Sequence, residues 1–327
     1  MIYLETGSVD PAYNLAFEEY VLKNIRQDTV LILWQNDNSV IVGRNQNAEA
    51  EINRSFVEEK GIKVVRRNTG GGAVFHDLGN LNYSFITDAD SLEKDTLRRF
   101  LDPVVEALRS MGLDAESSGR NDILVSGKKV SGTAQQLHKG RILHHGTLLF
   151  DADTSLLAGA LNPDPTKYTS KGIGSVRSRV GNIRDHLAGD VTIRQFWDRL
   201  KTVLTADGFT DGFLSEQDLA ATQLLKAEKY DTWEWNFGRS PKFQLQNRRR
   251  YPGGLLEIHL SVDQGILSEL RIFGDFLALL PVSELEECME GCPYEEVALS
   301  NALSGVDLKP YLGSITLQEL VDTVLNK

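Results

Sequence analysis

The chain has 327 residues, of which 41% are hydrophobic and 25% charged, and its formal net charge is -11. This composition is typical of a globular protein of one or two domains, and it argues against a disordered chain, a general nucleic-acid binder and, with two cysteines, a disulfide-stabilised scaffold. No apolar run approaches the ~18 residues of a membrane helix and the N-terminus lacks a signal-peptide pattern, so we expect a cytoplasmic protein without membrane association.

The first third of the chain mixes helix and strand signals around a glycine run. The segment DPAYNLAFEEYVLKNI predicts a helix that starts at a Pro, with apolar residues and Glu19 on one side. TVLILWQ, SVIVGRN and GIKVVRR are predicted strands, the last ending in the glycines. A strand from about Asn82 to Thr87 and an amphipathic helix over residues 92–111 follow.

Strand signals return in NDILV, KKVSGTAQQL and RILHHGTLLFDAD, followed by a basic loop, KYTSKGIGSVRSRV, and helices near 192–207 and 215–230. The aromatic and basic stretch WEWNFGRSPKFQLQNRRRYPGG indicates a domain boundary. Two alternating runs, LLEIHLSVDQ and ILSELRIFGDF, and short helices complete the chain. We therefore predict an α+β fold with a mixed β-sheet flanked by helices in residues 1–244, and a small α+β domain in residues 245–327.

The glycine run and the arginines before it form the first candidate site. Gly70, Gly71 and Gly72 let the backbone approach a ligand, and their N–H groups can form a nest for anionic oxygens. Arg66 and Arg67 alternate along a strand, so only one points into the pocket, and we choose Arg67. The spacing fits neither a P-loop nor a dinucleotide fingerprint. A glycine-rich hairpin with a surface arginine pair is the alternative.

Two further segments carry candidate side chains. In GRNDILVSGKKVSGTAQ, Asn121 and Asp122 precede a strand, and Lys129 follows a tight turn from which a fixed positive charge can stabilise a phosphate or acyl oxygen. The alternative there is an ordinary hairpin tip with solvated lysines. In HHGTLLFDAD, His144 and His145 face opposite sides of a strand, so at most one points inward, and a hydrogen-bonded core histidine is the alternative to a catalyst.

Several catalytic devices are absent from the sequence. It has no cysteine and histidine set with zinc spacing and no G-x-S-x-G nucleophile elbow. The first 287 residues contain no cysteine, which excludes a thioester on a cysteine of the large domain.

Seven motifs, in order and over nearly the whole chain, resemble those of the lipoate–protein ligases. They are DPAYNLAFEEY, VIVGRNQN, RRNTGGGAVFHDLGN, GRNDI, GKKVSGTAQ, HHGTLLFDAD and KGIGSVRSRVGNI. The resemblance implies the fold shared with biotin–protein ligases, which is similar to class II aminoacyl-tRNA synthetases. The C-terminal region resembles the family's accessory domain more loosely.

The resemblance also implies a reaction. The carboxylate of lipoate attacks the α-phosphate of ATP, with Mg²⁺ on the phosphates, and forms lipoyl-AMP and pyrophosphate. A lysine of an acceptor protein then takes the lipoyl group as an amide and releases AMP. Acceptors in the family are the lipoyl domains of 2-oxoacid dehydrogenase complexes and the glycine-cleavage H protein. We expect no nucleic-acid partner and a monomeric enzyme.

By the same resemblance Lys129 is the catalytic cation, rather than its neighbour Lys128. The residues implied to contact ATP or the adenylate are Arg67, Gly71, Gly72, Ala73, Val74, Phe75, His76, Asn80, Asn121, Asp122 and Lys129. Those implied to contact lipoate are Arg67, Gly72, Lys129, His145 and Gly146. Asp122 is the candidate Mg²⁺ ligand, and Glu19 either faces the pocket or is solvated. The loop KYTSKGIGSVRSRV resembles a lid over the adenylate, and it and Arg248–Arg250 are candidates for docking an acidic acceptor.

Two alternatives stay open at this point. One is an ATP-independent octanoyl or lipoyl transferase on the same fold, and the other is a non-catalytic protein that binds lipoyl domains. The cysteine-free large domain counts against a transferase that uses a cysteine nucleophile. The glycine run and Lys129 count against the non-catalytic reading.

Overall fold

A computed structural model of the chain describes residues 1–26, 28–89, 96–119, 121–161, 180–237, 245–263 and 265–326. The predicted lid, KYTSKGIGSVRSRV, lies outside the described residues except for its last residue. No helix among the described residues is long and apolar enough to cross a membrane.

The predicted mixed sheet is confirmed as an eight-stranded sheet with the strand order β11-β1-β2-β6-β10-β9-β8-β7. Its strands are β1 (Ile2–Glu5), β2 (Val30–Trp34), β6 (Asn80–Asp88), β7 (Ala115–Ser118), β8 (Asp122–Val125), β9 (Lys128–His138), β10 (Arg141–Leu149) and β11 (Thr210–Asp211). Strand β1 pairs in parallel with β2 and β11, and the other neighbours pair antiparallel. The sheet is mixed because β1 runs parallel to both of its neighbours, the next strand β2 and the distant strand β11.

A second sheet of three short strands carries the glycine run. It consists of β3 (Ser39–Val42), β4 (Lys63–Arg66) and β5 (Val74–His76), in the order β4-β3-β5. Strand β5 was not predicted, because three residues after a glycine run are too few to show a period of two. The glycines therefore connect two strands that flank the same neighbour, β3.

The helices pack around these sheets. They are α1 (Pro11–Asn24), α2 (Ala48–Glu51), α3 (Arg54–Glu59), α4 (Thr96–Ser110), α5 (Thr154–Ala160), α6 (Ile193–Leu204), α7 (Glu216–Leu225) and α8 (Trp233–Asn236), with a π-helical turn at Lys226–Tyr230. Eleven of the 14 residues of α1 are buried, on all sides of the helix rather than on the predicted one. Helix α1 consequently carries polar side chains into the protein interior.

The C-terminal region has its own sheet and its own hydrophobic core. Its strands β12 (Leu245–Tyr251), β13 (Gly254–Asp263) and β14 (Ile266–Gly274) form an antiparallel sheet. Its helices are α9 (Ser283–Met289), α10 (Glu296–Ala302), α11 (Lys309–Leu312) and α12 (Leu317–Leu325). Strand β12 lies in the stretch predicted only as a boundary, where arginines and asparagine hide the apolar alternation. Backbone bonds from Gly274 N to Asn45 O (2.7 Å) and from Leu137 N to Leu279 O (3.1 Å) join this domain to the large one.

Arg66 ties the end of β4 to the segment that precedes the small domain. Its side chain is 1% exposed and donates to the carbonyl oxygens of Gly43 (2.9 Å), Gln46 (2.6 Å), Trp235 (2.9 Å) and Asn236 (2.9 Å). The backbone N–H of Arg66 donates in turn to Asn236 Oδ1 (2.8 Å). A single side chain therefore satisfies backbone acceptors of two segments that are far apart in sequence.

Replacing Arg66 should destabilise the fold strongly. We expect Arg66→Met, which keeps much of the side-chain volume, to lower the free energy of unfolding by about 3–5 kcal/mol, because several buried carbonyl groups lose their donors. Denaturant unfolding of the purified variant measures this. As a control, Arg54→Ala at a 61% exposed side chain should change the value by less than about 0.5 kcal/mol. An equally small change for Arg66→Met would contradict the assigned role.

Candidate active site

A cavity of about 250 Å³ opens between the second sheet, the strands β9 and β10, and the small domain. Ten residues predicted from the sequence line it: Arg67, Gly71, Gly72, Ala73, Val74, His76, Asn121, Lys129, His145 and Gly146. Ten others that were not predicted also line it: Leu15, Trp34, Ile41, Asn82, Gly132, Thr133, Ala134, Thr147, Asp275 and Leu277. The predicted Phe75, Asn80 and Asp122 do not line it. Phe75 belongs to a hydrophobic cluster and Asn80 is fully buried, where its Nδ2 donates to Asn82 Oδ1 (2.9 Å).

Of the two arginines, Arg67 lines the cavity and Arg66 does not. Four hydrogen bonds leave the Arg67 guanidinium, which go to Thr69 Oγ1 (2.9 Å) and to the carbonyl oxygens of Ile41 (3.1 Å), Gly70 (2.6 Å) and Gly72 (2.9 Å). Burial lowers the pKa of Arg67 to about 10, and the charge of Glu18 opposes this shift. The side chain thus grips the glycine run itself, and four of its five N–H groups are already bonded to protein.

The glycine run is also held from outside, by the small domain. Gly71 has a φ of +88° and donates its N–H to Phe276 O (3.0 Å). A side chain at Gly70 would lie 2.8 Å from backbone atoms of Phe276 and Ala278, so the close contact between the two domains needs a glycine there. In this arrangement the small domain bonds one donor of the predicted anion nest.

Lys129, which lines the cavity, forms an ion pair. Lys129 Nζ lies 2.7 Å from Asp122 Oδ1, and the two side chains are 40% and 32% exposed. The turn that positions Lys129 has left-handed backbone at Ser126 and Gly127, as expected for a tight hairpin. Asn121 Nδ2 donates to Thr133 O (2.6 Å) and fixes the neighbouring strand ends. A partly exposed ammonium group of this kind can exchange its carboxylate for a phosphate at low cost.

The two adjacent histidines have separate environments. His144 faces the core, where it stacks on Phe100 (5.0 Å between ring centroids), and burial lowers its pKa to about 3. His145 lines the cavity, and each of its ring nitrogens has a partner: Nδ1 lies 2.9 Å from Glu18 Oε1 and Nε2 lies 2.8 Å from Thr69 Oγ1. The core-histidine alternative therefore describes His144.

His76 is held as a neutral ring in the cavity wall. Its Nδ1 lies 3.0 Å from Asn36 Nδ2, and Asn36 Oδ1 accepts in turn from Asn14 Nδ2 (2.9 Å). Burial, followed by the positive charge of Arg67, lowers the pKa of His76 to about 3. An uncharged, hydrogen-bonded ring beside Trp34 can shape the cavity without adding charge to it.

Glu19 neither faces the cavity nor is solvated. It is 4% exposed and lies 2.7 Å from Lys229 Nζ and 2.6 Å from Lys23 Nζ, while Tyr230 OH donates to it at 2.6 Å. Asn68 Nδ2, in the segment before the glycines, also donates to it (2.8 Å). Glu19 therefore locks the π-helical turn onto the segment that carries the glycines. The carboxylate that reaches the cavity side chains belongs to its neighbour Glu18, which was not predicted.

No group of three histidine, cysteine, aspartate or glutamate side chains placed to hold a metal occurs in the part of the chain that the structure describes. Magnesium, however, is commonly bound by one or two carboxylates together with substrate phosphates. Asp122, partly exposed beside the cavity-lining Lys129, fits that use.

Two family models match the chain. Residues 10–205 match the lipoyl protein ligase A/B catalytic domain, and residues 240–324 match the bacterial lipoate protein ligase C-terminus. Among curated relatives, lipoate-protein ligase LplJ of Bacillus subtilis (strain 168) is 43% identical over 330 residues, which span 99% of this chain and 100% of that protein. Lipoate–protein ligase 1 of Staphylococcus aureus is 41% identical, over 95% of this chain and 96% of that protein.

Solved structures are similar over the same regions. The structure of P. falciparum LipL1 in complex with lipoate has a TM-score of 0.80 and 26% sequence identity, and covers 100% of this chain and 99% of that one. A structure of lipoate-protein ligase A bound with ATP has a TM-score of 0.63 and 31% identity, over 72% of this chain and 97% of that one. Both share the fold in which the cavity lies.

The ion pairs of Glu19 predict a pH-dependent stability. Burial alone would raise the pKa of Glu19, but the charge and hydrogen bonds of Lys229, Lys23 and Tyr230 outweigh it and lower the pKa from 4.5 to about 2. The carboxylate should therefore stabilise the folded state above pH 4.5, by roughly 3 kcal/mol, and lose this effect as the pH falls from 4.5 towards 2.

Denaturant unfolding between pH 7 and pH 2.5 tests this expectation on Glu19→Gln. The variant should be less stable than the parent at pH 7, and the gap should narrow below pH 4.5. Glu106→Gln, at a 65% exposed carboxylate, is the control and should stay within about 0.5 kcal/mol of the parent. A gap that is constant with pH would show that the carboxylate charge is not what stabilises the fold.

Proposed function

The chain belongs to the lipoate–protein ligase family, and on that premise we propose how its cavity performs the reaction of such a ligase. The enzyme activates lipoate with ATP to lipoyl-AMP and transfers the lipoyl group to proteins. The relatives named as lipoate ligases, and similar structures that hold lipoate or ATP, support this activity. The observation that carries it within this chain is one cavity lined both by apolar side chains and by the cations Arg67 and Lys129.

The apolar side chains of the cavity fit the acyl chain of lipoate. Leu15, Trp34 and Ile41 line the cavity, next to the uncharged ring of His76 and the hydrogen-bonded ring of His145. Burial of a carbon chain against such side chains stabilises binding by about 25 cal/mol per Å² of apolar surface. The carboxylate of lipoate would then lie towards Lys129, where the nucleotide's α-phosphate must meet it.

Lys129 is the residue proposed to carry the first step. A carboxylate oxygen of lipoate attacks the α-phosphorus of ATP, and the bond to pyrophosphate breaks. This step brings two anions together, so a positioned ammonium group and backbone N–H donors lower its barrier by holding the charge that develops on the phosphorus centre. Asp122 now holds Lys129 at 2.7 Å, and a bound phosphate would draw the ammonium group away from it.

Magnesium would be held by Asp122 and the phosphates of ATP, and it would neutralise charge on the leaving pyrophosphate. Asp122 therefore has two proposed tasks, as the resting partner of Lys129 and as an oxygen ligand beside the nucleotide. The adenylate would lie along Gly71, Gly72, Ala73 and Val74, with the predicted Phe75 and Asn80 supporting these residues from within rather than touching the ligand.

The second step needs an acceptor lysine, whose amine attacks the lipoyl carbonyl carbon while AMP leaves. We propose the lipoyl domains of 2-oxoacid dehydrogenase complexes and the glycine-cleavage H protein as acceptors. A structure of an archaeal lipoate ligase and its E2 lipoyl domain supports the lipoyl-domain part of this proposal. Of the candidate docking arginines, Arg248 pairs with Glu257 (3.7 Å) and Arg250 with Asp275 (3.3 Å), which lowers the net charge that each presents.

The remaining expectations stay as proposals. They are a catalytic domain in residues 1–244 with an accessory domain in residues 245–327, a lid formed by KYTSKGIGSVRSRV, a cytoplasmic location and a monomeric state. The family models support the division of the chain, since one ends at residue 205 and the other starts at residue 240.

A reaction assay tests the proposed function. With ATP, Mg²⁺, lipoate and an apo lipoyl domain, we expect mass spectrometry to find one lipoylated lysine and an equal amount of AMP, and neither product when ATP is left out. Transfer of an octanoyl or lipoyl group from the corresponding acyl carrier protein without ATP would favour the transferase alternative. Binding of the apo domain with no product under either condition would favour the non-catalytic alternative.

Lys129 should be essential for the first step. We expect Lys129→Ala to lower the rate of lipoyl-AMP formation by roughly 10²–10³-fold, because the developing phosphate charge loses its cation. Lys128→Ala, which changes the adjacent lysine of the same turn, is the matched control and should retain most of the activity. Pyrophosphate release in a single turnover measures both variants. Similar rates for Lys129→Ala and the parent would exclude Lys129 as the catalytic cation.

A further inference from the structure

A buried chain of polar side chains runs beneath the cavity from helix α1 to the glycine run. Glu18 Oε1 lies 2.9 Å from His145 Nδ1, His145 Nε2 lies 2.8 Å from Thr69 Oγ1, and Arg67 Nε donates to Thr69 Oγ1 at 2.9 Å. All four residues are buried. We call these residues the Glu18–Arg67 chain. Three parts of the sequence that are far apart meet in it, and its last member holds the carbonyl groups of the glycine run.

In the Glu18–Arg67 chain, the chemistry of the two end groups determines which atom donates each hydrogen bond. An arginine only donates and a carboxylate only accepts, so Thr69 Oγ1 accepts from Arg67 and, with a neutral His145 ring whose Nδ1 proton goes to Glu18, donates its own proton to His145 Nε2. The neutral ring of His145 then carries its proton on Nδ1 and donates it to Glu18. Glu18 Oε1 also accepts from Ser84 Oγ (2.6 Å), whose oxygen accepts from the indole N–H of Trp34 (2.9 Å). When His145 is neutral, each hydrogen-bonding proton of the Glu18–Arg67 chain is assigned to one donor atom.

Arg67, the last member of the Glu18–Arg67 chain, determines how the backbone of the glycine run is oriented. Arg67 Nη2 holds the carbonyl oxygens of Gly70 and Gly72 at 2.6 and 2.9 Å. In a trans peptide the C=O and the following N–H point in opposite directions, so the N–H groups of Gly71 and Ala73 turn away from Arg67, and that of Gly71 donates to Phe276 O (3.0 Å). Arg67 therefore fixes the direction of the Gly71 and Ala73 N–H groups by bonding the carbonyl groups that precede them.

The charges of Glu18 and Arg67, at the two ends of the Glu18–Arg67 chain, compensate each other. A buried guanidinium is stable only with an anion close enough to compensate its desolvation, and Glu18 is the carboxylate at the other end of the hydrogen bonds. Glu18 is 4% exposed and Arg67 is 6% exposed, so water screens neither group well. The neighbouring carboxylate, Glu19, is compensated by Lys23 and Lys229 instead.

We propose that Glu18 is a positioning residue for lipoate activation, which acts through His145 and Thr69 to fix Arg67 and thereby the backbone donors of the glycine run. Glu18 touches no reacting atom and transfers no proton in this role. The proposal rests on the proposed ligase function of the cavity, since the glycine backbone that Arg67 holds is the one along which the adenylate is proposed to lie.

A double-mutant cycle tests whether Glu18 acts through the chain. Glu18→Gln keeps the shape and removes the charge, and Thr69→Val removes the hydroxyl group in the middle. We expect each variant to form lipoyl-AMP about 10–100-fold more slowly, as outer-shell substitutions commonly do. Because both break one chain, the double variant should be about as slow as the slower single variant, not slower by the product of the two factors.

Glu19→Gln is the matched control, because it removes the adjacent buried carboxylate of the same helix. Combined with Thr69→Val, it should multiply the separate effects on the rate. Rates are taken per folded molecule, at a temperature well below the melting temperature of each variant. Multiplicative effects for Glu18→Gln with Thr69→Val, or a parent-like rate for Glu18→Gln, would overturn the proposal.

A second measurement uses the unmodified protein and requires neither the variants nor the reaction. In ¹⁵N-histidine NMR spectra, with His145 assigned through His145→Gln, we expect the proton on Nδ1 and a lone pair on Nε2. A proton on Nε2 would reverse the chain and overturn the proposal. If the parent makes no lipoyl-AMP, the proposed function fails, while the NMR result still decides the direction of the chain.

Discussion

Two consecutive arginines are buried at the end of β4, and because successive strand residues point to opposite faces, each must satisfy its donors in a different part of the protein. Arg66 donates hydrogen bonds to the carbonyl groups of Gly43 and Gln46 and to those of Trp235 and Asn236. Arg67 donates hydrogen bonds to the carbonyl groups of the glycine run and is linked to Glu18 through the Glu18–Arg67 chain. The need to hydrogen-bond two buried cations thus fixes both the end of the large domain and the wall of the cavity.

Much of the fold could be predicted from the sequence, because the long elements have clear periods. Helix α1, strands β2 and β10 and the hairpin that carries Lys129 lie where the pattern indicated. Short or polar strands could not be found this way. Three residues of β5 show no alternation, and the polar sequence of β12, LQNRRRY, has none to detect. Only pairing with strands elsewhere in the chain makes these segments extended.

The candidate site was predictable where one motif supplies both the loop and the side chain, as with the glycine run, Lys129 and His145. It was not predictable where packing chooses between neighbours. Glu18 and Glu19 differ by 100° around α1, and since both faces of that helix are buried, the amphipathic pattern could not tell which carboxylate meets His145 and which meets Lys229. Asp275 and Leu277 line the cavity from another domain, and nothing local to their sequence signals this position.

The pairing of distant segments also determines when the site can form during synthesis. Strand β1 pairs with β11, Glu19 with Lys229, and Arg66 with Trp235 and Asn236, so the first strands and the glycine run are completed by residues 210–236. A ribosome that adds 5–20 residues per second needs on the order of tens of seconds to reach that point. Until then Arg66 would lack the carbonyl acceptors of Trp235 and Asn236, and β1 would be an open sheet edge. Assembly of the cavity is therefore a late event, which is complete only when the small domain supplies Asp275 and Leu277.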